Sequence, residues 1–257
     1  MRVAKITYLF ICMIHCISLS GVAWNTSGAN LSVKEKHQLN YIFSPVCYPD
    51  TFCLATSWSP IYQGFGIHEG IVYLGWQNVD FSLKSQVHPL MSNHELSAGF
   101  KILDQEQIKA GLQFHYAASF LYDHGSEHEG AVSGAVSVYP KNSWELTFYS
   151  LRFLSFPHDS ACGLFEAQSG LMVNFDILPS LSTVLGLEKR DALPWELLLN
   201  MSYSIIPPIA VFVSYKIQSQ ELSAGSSFCF GRWQILWSAS YHEYLGFKED
   251  IFIAYKY

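Results

Sequence analysis

The sequence predicts an all-β fold, a transmembrane antiparallel up-and-down β-barrel of about 14 strands. The last eight residues place Ile251, Ile253, Tyr255 and Tyr257 on one side of a strand, and the chain ends on that aromatic ring. Almost every segment after residue 50 alternates with the same period of two. Half of the residues are apolar and only 14% are charged, whereas a soluble domain has about 25%. Together these features favour strands that face lipid on one side.

A soluble β-sandwich could also end on such a strand. The distribution of polar residues along the other strands decides between the two folds. No segment beyond the N-terminal apolar run is a candidate membrane helix, so the apolar residues must line a core or a lipid-facing wall. The polar face carries few charges, and they are of both signs, whereas a sandwich would spread many Lys and Glu over its outer face. We therefore predict a barrel lumen lined by Glu95, Lys101, Lys109, Gln113, His115, Glu145, Glu196, Asn200, Lys216, His242, Asp250 and Lys256.

The N-terminus has the composition of a secretory signal peptide, residues 1–23. Arg2 and Lys5 precede an uncharged, mostly apolar run from Ile6 to Leu19, and Gly21-Val22-Ala23 offers small residues for cleavage. The run is shorter than the roughly 20 residues of a spanning helix. We expect a cleaved signal, and an uncleaved anchor is the alternative.

Residues 24–50 form a separate N-terminal segment, ahead of the barrel at 51–257. The run 37–44 also alternates like a strand, but counting it would give an odd number, and single-chain bacterial barrels have even numbers. Either one strand has been divided in two, or this run lies inside the lumen as a plug. Both readings stay open.

The predicted strands have lengths suited to crossing a bilayer at a tilt. Their faces are clearest near the C-terminus, where Trp195, Leu197, Leu199 and Met201 share one side. The fourteen predicted strands are 52–58, 71–76, 79–87, 95–102, 107–120, 131–139, 144–153, 165–175, 181–188, 195–203, 209–217, 221–230, 233–241 and 251–257.

The lengths of the connections predict an orientation. Counted back from a periplasmic C-terminus, short turns at 77–79, 103–106, 140–143, 177–180, 204–208 and 231–232 lie on the periplasmic side. The outer side receives mostly longer connections at 59–70, 88–94, 121–130, 154–164, 189–194, 218–220 and 242–250. Aromatic anchors at the two membrane interfaces are then Trp58, Trp76, Trp144, Trp195, Trp233 and Trp237.

Charge and cysteine content exclude several classes of function. The net charge of −6 without a Lys/Arg cluster argues against nucleic-acid binding. Cys47 and Cys53 bracket a Tyr-Pro-Asp turn and could form a hairpin disulfide, or they could stay reduced as small wall residues. The absence of a Cys-x2-Cys pair argues against zinc, and we expect no metal and no cofactor.

Two polar patterns raise the question of chemistry. The segment 123–129, with His124 and His128 four residues apart, would need to be helical to bind a metal, and a solvated acidic outer loop is the favoured interpretation. His115 and His242, with Ser238 or Ser240 nearby, could form a hydrolytic Ser–His pair. These residues face inward and no Gly-x-Ser-x-Gly motif is present, so we predict histidines satisfied within the lumen and no enzyme activity.

Two stretches resemble outer-membrane proteins of the FadL-like superfamily, which includes long-chain fatty-acid channels, and are most similar to the PorV/PorQ-like group. Asn93-His94-Glu95-Leu96-Ser97-Ala98-Gly99-Phe100, followed by residues 108–116, is similar to a paired-strand motif of that group. Residues 237–257, with Tyr244-Leu245-Gly246, resemble its C-terminal strands. The chain lacks the group's N-terminal Asn-Pro-Ala signature and has Glu243-Tyr244 where the group often has His-Pro. The resemblance implies a barrel of about 14 strands with an N-terminal plug.

Two functions follow as expectations. The first is an outer-membrane barrel of a Gram-negative bacterium that passively transports or binds a hydrophobic small molecule in its lumen. The second is a structural or secretion-associated barrel that acts as a partner of other envelope proteins without transport. The expected partners are membrane lipid, the barrel-assembly machinery, and either the small molecule or secretion components.

Overall fold

A computed structural model describes residues 24–25, 38–39, 52–61, 66–122, 125–141, 144–156, 167–190, 193–243 and 246–256. Two short strands, β1 (Trp24–Asn25) and β2 (Gln38–Leu39), pair with each other and not with the main sheet. The part of the run 37–44 that the structure describes is therefore not a wall strand, and its other residues lie outside the described ranges. The signal peptide, Cys47 and any bond between Cys47 and Cys53 also lie outside them.

Fourteen antiparallel strands close into one barrel, so the predicted fold class and strand number are confirmed. Each strand pairs with its neighbours in the chain, and the last closes on the first through Ile251 opposite Trp58. In order, β3 to β16 are Cys53–Ile61, Ile67–Trp76, Val79–His88, Met91–Gln105, Ile108–Leu121, Gly125–Lys141, Trp144–Phe156, Gln168–Leu178, Leu181–Arg190, Glu196–Ile206, Ile209–Lys216, Glu221–Phe230, Trp233–His242 and Gly246–Lys256.

Four strands begin earlier than the alternation predicts. β4 begins at Ile67 rather than 71, β6 at Met91 rather than 95, β8 at Gly125 rather than 131, and β16 at Gly246 rather than 251. The added residues put polar side chains such as His94 and His128 on the outer face. The apolar alternation therefore stops while the backbone pairing continues.

The connections differ between the two ends of the barrel. At one end, the turn side, every connection is two residues long: 77–78, 106–107, 142–143, 179–180, 207–208 and 231–232. At the other end, the loop side, the connections run up to the eleven residues of 157–167, and only 89–90 is as short as two. The predicted asymmetry of connection length is confirmed with that one exception.

The outer surface of the wall is apolar along the strands. On β12, Leu197, Leu199 and Met201 are between 37% and 39% exposed, while Leu198 and Asn200 between them are at most 1% exposed. Exposed Leu, Val, Ile and Phe recur on most other strands, far beyond the apolar patch of a soluble monomer. A continuous apolar band of this kind is typical of a barrel surface that contacts lipid chains.

Five tryptophans mark the ends of this band, whereas Trp237, also predicted as an interface anchor, is the fifth of the ten residues of β15. Trp76, Trp144 and Trp233 lie next to turn-side connections, and Trp58 and Trp195 lie towards the loop side, all of them exposed. Trp144 stacks on Phe175 at 5.2 Å and Trp233 contacts Tyr255 at 4.9 Å between ring centroids. This arrangement matches aromatic girdles at two interfaces. No helix within the described ranges is long and apolar enough to cross a membrane.

Candidate functional site

The interior side chains of β6 to β9 form a connected polar cluster of Glu95, His115, Ser133 and Arg152. Nδ1 of His115 lies 2.8 Å from Oε1 of Glu95, and Nε2 lies 2.7 Å from Oγ of Ser133. Nη2 of Arg152 donates to both carboxylate oxygens of Glu95 at 3.0 and 3.2 Å. We refer to these four residues as the His115 cluster.

Strand alternation brings three of the four residues together. Glu95, His115 and Ser133 occupy inward positions on β6, β7 and β8, which are consecutive in the barrel. Because the pairing is antiparallel and in register, their side chains meet on the same stretch of inner wall. A one-residue slip of any of the three strands would turn its residue to the outer face.

Arg152 reaches the cluster through a β-bulge. The register between β8 and β9 shifts between Val132 and Gly134, directly at Ser133. Arg152 adopts a left-handed conformation with φ of 56°, which costs energy for a residue with a side chain. Its backbone N–H donates to Oγ of Ser133 at 2.8 Å. The bulge turns Arg152 inward from a position that simple alternation would place on the outer face.

A small cavity of about 40 Å³ lies against this cluster. That is room for a few water molecules or one short chemical group. Eight polar and two aliphatic residues line it: Ile71, Ser82, Lys84, Glu95, Ser97, Gln113, His115, Ser133, Leu151 and Arg152.

Other charges on the loop-side half of the interior also lie in pairs. Lys84 contacts Glu69 at 2.9 Å, Lys216 contacts Glu221 at 3.1 Å and Lys248 contacts Asp250 at 3.2 Å. The Lys216 and Glu221 side chains are only 7% and 8% exposed. Pairing offsets the cost of taking these charges out of water. The buried carboxyl groups of Asp80, Glu129, Glu145 and Glu188 lie on the same inner wall.

The turn-side half of the interior contains a second polar network. Oε1 of Glu145 accepts from the Tyr139 hydroxyl at 2.9 Å, and Oε2 accepts from Nδ2 of Asn174 at 3.5 Å. Nearer the turn, Nζ of Lys101 donates to Asp104 at 2.8 Å and Lys109 lies 3.7 Å from Asp104.

An apolar cluster also fills part of the interior. Tyr73, Phe212, Leu236 and Phe252 come from β4, β13, β15 and β16, and each is at most 7% exposed. They form one buried cluster, to which Tyr149 of β9 also belongs. The Tyr149 hydroxyl donates to Oε1 of Glu188 at 2.7 Å, so the cluster meets the polar wall at that point. Large side chains from opposite parts of the sheet thus approach each other inside the barrel.

The predicted lumen residues fall into three groups. Glu95, Gln113 and His115 meet at the cavity, while Lys101 and Lys109 meet Asp104 at the turn side. Oε1 of Glu196 accepts from the backbone N–H groups of Gln218 and Ser219 at 2.9 and 3.1 Å, so it holds a loop. Lys216, His242 and Asp250 lie on neighbouring strands, where Glu221 pairs in register with both Lys216 and His242, and Lys248 contacts Asp250. Glu145 and Asn200 lie on other strands, and the side chain of Lys256 is outside the described part.

The structure adds interior residues that the sequence did not single out. Lys84, Asp80 and Glu188 follow the alternation of their strands, so a face analysis of every strand would have found them. Arg152 could not be found that way because it depends on the bulge. Nothing in the sequence distinguishes Ser133 from the many other serines that face inward.

The predicted acidic loop at 123–129 is wrong in its secondary structure. Residues 125–129 begin β8, where Glu129 is buried and His128 faces outward. His128 stacks on Tyr116 and its Nδ1 lies 2.8 Å from the Tyr116 hydroxyl. A strand sends neighbouring residues to opposite faces. No metal-binding group of His, Cys, Asp or Glu occurs among the residues that the structure describes.

No family model and no curated protein matches the chain. Solved structures share its fold. The toluene transporter TbuX of Ralstonia pickettii aligns with a TM-score of 0.60 at 7% identity, over 95% of this chain and 97% of TbuX. The toluene transporter TodX of Pseudomonas putida aligns at 0.54 and 8% identity, over 92% and 94%. The outer membrane protein Omp33 of Acinetobacter baumannii aligns at 0.54 and 4% identity, over 81% and 98%. Identities this low show a common barrel fold.

Proposed function

We propose that this chain is an outer-membrane barrel of a Gram-negative bacterium that binds a hydrophobic small molecule in its lumen and passes it through passively. The observation that carries the proposal is the interior cluster of Tyr73, Phe212, Leu236 and Phe252. An aqueous porin of 16 to 18 strands leaves a water-filled channel. Aromatic and aliphatic side chains inside a 14-stranded wall instead offer contacts to an apolar molecule.

Two similarities support a hydrophobic small molecule as the substance that is bound and transported. The sequence motifs resemble the FadL-like superfamily, and the fold resembles that of two proteins described as toluene transporters. The ion pairs of the inner wall add a third argument, because a channel selective for ions presents rings of one sign.

Binding of a fluorescent fatty-acid-like probe by the purified barrel in detergent tests the proposal. Phe212 is 2% exposed inside the barrel, and its neighbour Val213 is 40% exposed on the outer wall. A molecule that enters this cluster must take over packing contacts of Phe212, so Phe212→Ala removes an apolar contact worth about 1–3 kcal/mol, and the probe should bind roughly tenfold or more weakly. Val213→Ala is the matched control and should leave binding unchanged. Equal binding by both variants and the parent protein would contradict a lumen site.

The second candidate is a structural barrel that serves as a partner of other envelope proteins, and the PorV/PorQ-like motifs favour it. The full burial of Tyr73 and Leu236 favours it too, because packed interior side chains need no passage. Reconstituted vesicles separate the two functions. Uptake of the probe supports transport, whereas no uptake and no conductance, together with a stable partner recovered from envelope extracts, supports the scaffold.

A further inference from the structure

The His115 cluster has the connectivity of a nucleophile, a base and an orienting carboxylate. Ser133 Oγ lies 2.7 Å from His115 Nε2, and His115 Nδ1 lies 2.8 Å from Glu95. A carboxylate can only accept, so Nδ1 carries the proton that bonds to Glu95. In the neutral ring Nε2 is then an acceptor, and the Ser133 hydroxyl donates to it.

We propose that Ser133 is a nucleophile for short-chain carboxylic esters that reach the cavity through the lumen. His115 acts as the general base, and Glu95 is a positioning residue that fixes the ring and its tautomer. Serine hydroxyls become reactive through an adjacent base that a third group orients. This activity goes beyond passage of a small molecule and does not depend on it.

Three further features of the wall converge on the same residue. The cavity of about 40 Å³ borders Ser133 and His115, so it admits the reacting ester group but no long chain. Ser133 is itself 0% exposed, so a group seated in that cavity reaches it only when the neighbouring side chains shift. The register shift at Val132/Gly134 and the left-handed Arg152 occur beside this serine, and bulges and strained residues often accompany reactive sites.

Positive charge lies where the reaction would need it. Arg152 and Lys84 border the cavity, and each pairs with a carboxylate, Glu95 and Glu69 respectively. An ester carbonyl in the cavity would develop negative charge on oxygen during attack. Cationic donors held in a partly dry site stabilise such an oxyanion.

The reaction balances with water as the second reactant. The Ser133 proton passes to Nε2 of His115 as Oγ bonds to the acyl carbon, and the carbonyl electron pair moves to oxygen. When that pair returns, the bond to the alcohol oxygen breaks and the alcohol leaves with the proton from His115. Water repeats the same steps on the acyl-serine, which releases a carboxylic acid and restores the hydroxyl.

Labelling with diisopropyl fluorophosphate, followed by intact mass and peptide mapping of the folded full-length protein, tests the proposal. We expect one adduct, on Ser133, and slow hydrolysis of p-nitrophenyl acetate. Ser133→Ala should abolish both. His115→Gln should slow labelling by about 100-fold or more, the usual contribution of a general base.

Ser137→Ala is the matched control. Ser137 is an inward, fully buried serine on the same strand, β8, but its Oγ contacts Thr147 rather than a histidine, and it lies outside the cavity lining, so its loss should leave labelling unchanged. Should His115→Gln not assemble, heat-unfolded parent protein replaces it, because unfolding separates Ser133 from His115. Labelling that is absent in the folded barrel, or that persists equally after unfolding, would show a purely structural hydrogen-bond network.

Discussion

Arginine placed at Val213 distinguishes a lipid-facing wall from a water-facing one. Val213 is 40% exposed, while its neighbours Phe212 and Ser214 are 2% and 8% exposed. It is the fifth of the eight residues of β13 (Ile209–Lys216), which puts it near the middle of the bilayer. An arginine on the lipid face of a barrel costs about 2–4 kcal/mol at the midplane. This corresponds to a loss of roughly 30-fold to 1,000-fold in the folding equilibrium constant.

Guanidinium unfolding of the barrel in phospholipid vesicles, followed by tryptophan fluorescence, measures that difference. Ile209→Arg is the control for depth, because Ile209 shares the outer face but adjoins the turn 207–208, where the cost falls to about 0–1 kcal/mol. Val213→Leu is the control for the effect of replacing Val213 with a larger side chain that carries no charge. A Val213→Arg variant as stable as Ile209→Arg would refute the idea that this wall faces hydrocarbon.

Two other substitutions test the interior packing by the same unfolding assay. A Cβ added at Gly170 would lie 2.5 Å from the Tyr149 ring, whereas one at Gly70 meets only a backbone oxygen at 3.8 Å. Gly170→Ala should therefore cost about 1–3 kcal/mol and Gly70→Ala much less; equal costs would contradict the packing of Tyr149. Arg152→Ala removes the two hydrogen bonds to Glu95 and should cost about 1–3 kcal/mol, and an unchanged midpoint would show that this pair contributes nothing.

The strands and their faces could be predicted because one physical rule governs them. A wall between lipid and lumen forces alternate residues to differ, and β12 shows this with Leu197 and Leu199 outside and Leu198 and Asn200 inside. The rule also explains where prediction fell short. At His94 and His128 the outer face turns polar, so the pattern ends before the strand does.

The candidate site was harder to predict because it depends on the pairing of distant strands. Glu95 and His115 were predicted as lumen residues, but nothing local indicates that Ser133 is the serine that lies beside His115 instead of Ser238 or Ser240. That choice follows from the order of β6, β7 and β8 around the barrel. The inward turn of Arg152 follows from a bulge, and two extra residues in one strand leave no mark on hydropathy.

The distribution of charge inside the barrel bears on what could pass through it. Four interior cations on the loop-side half, Lys84, Arg152, Lys216 and Lys248, each lie within 3.2 Å of a carboxylate oxygen. A channel selective for ions presents rings of one sign, whereas paired charges cancel at short range. Selection of a passing molecule is then left to shape and to apolar contact with residues such as Phe212. The same wall that would hold an apolar molecule should therefore conduct ions poorly, and single-channel recordings in planar bilayers can measure the conductance.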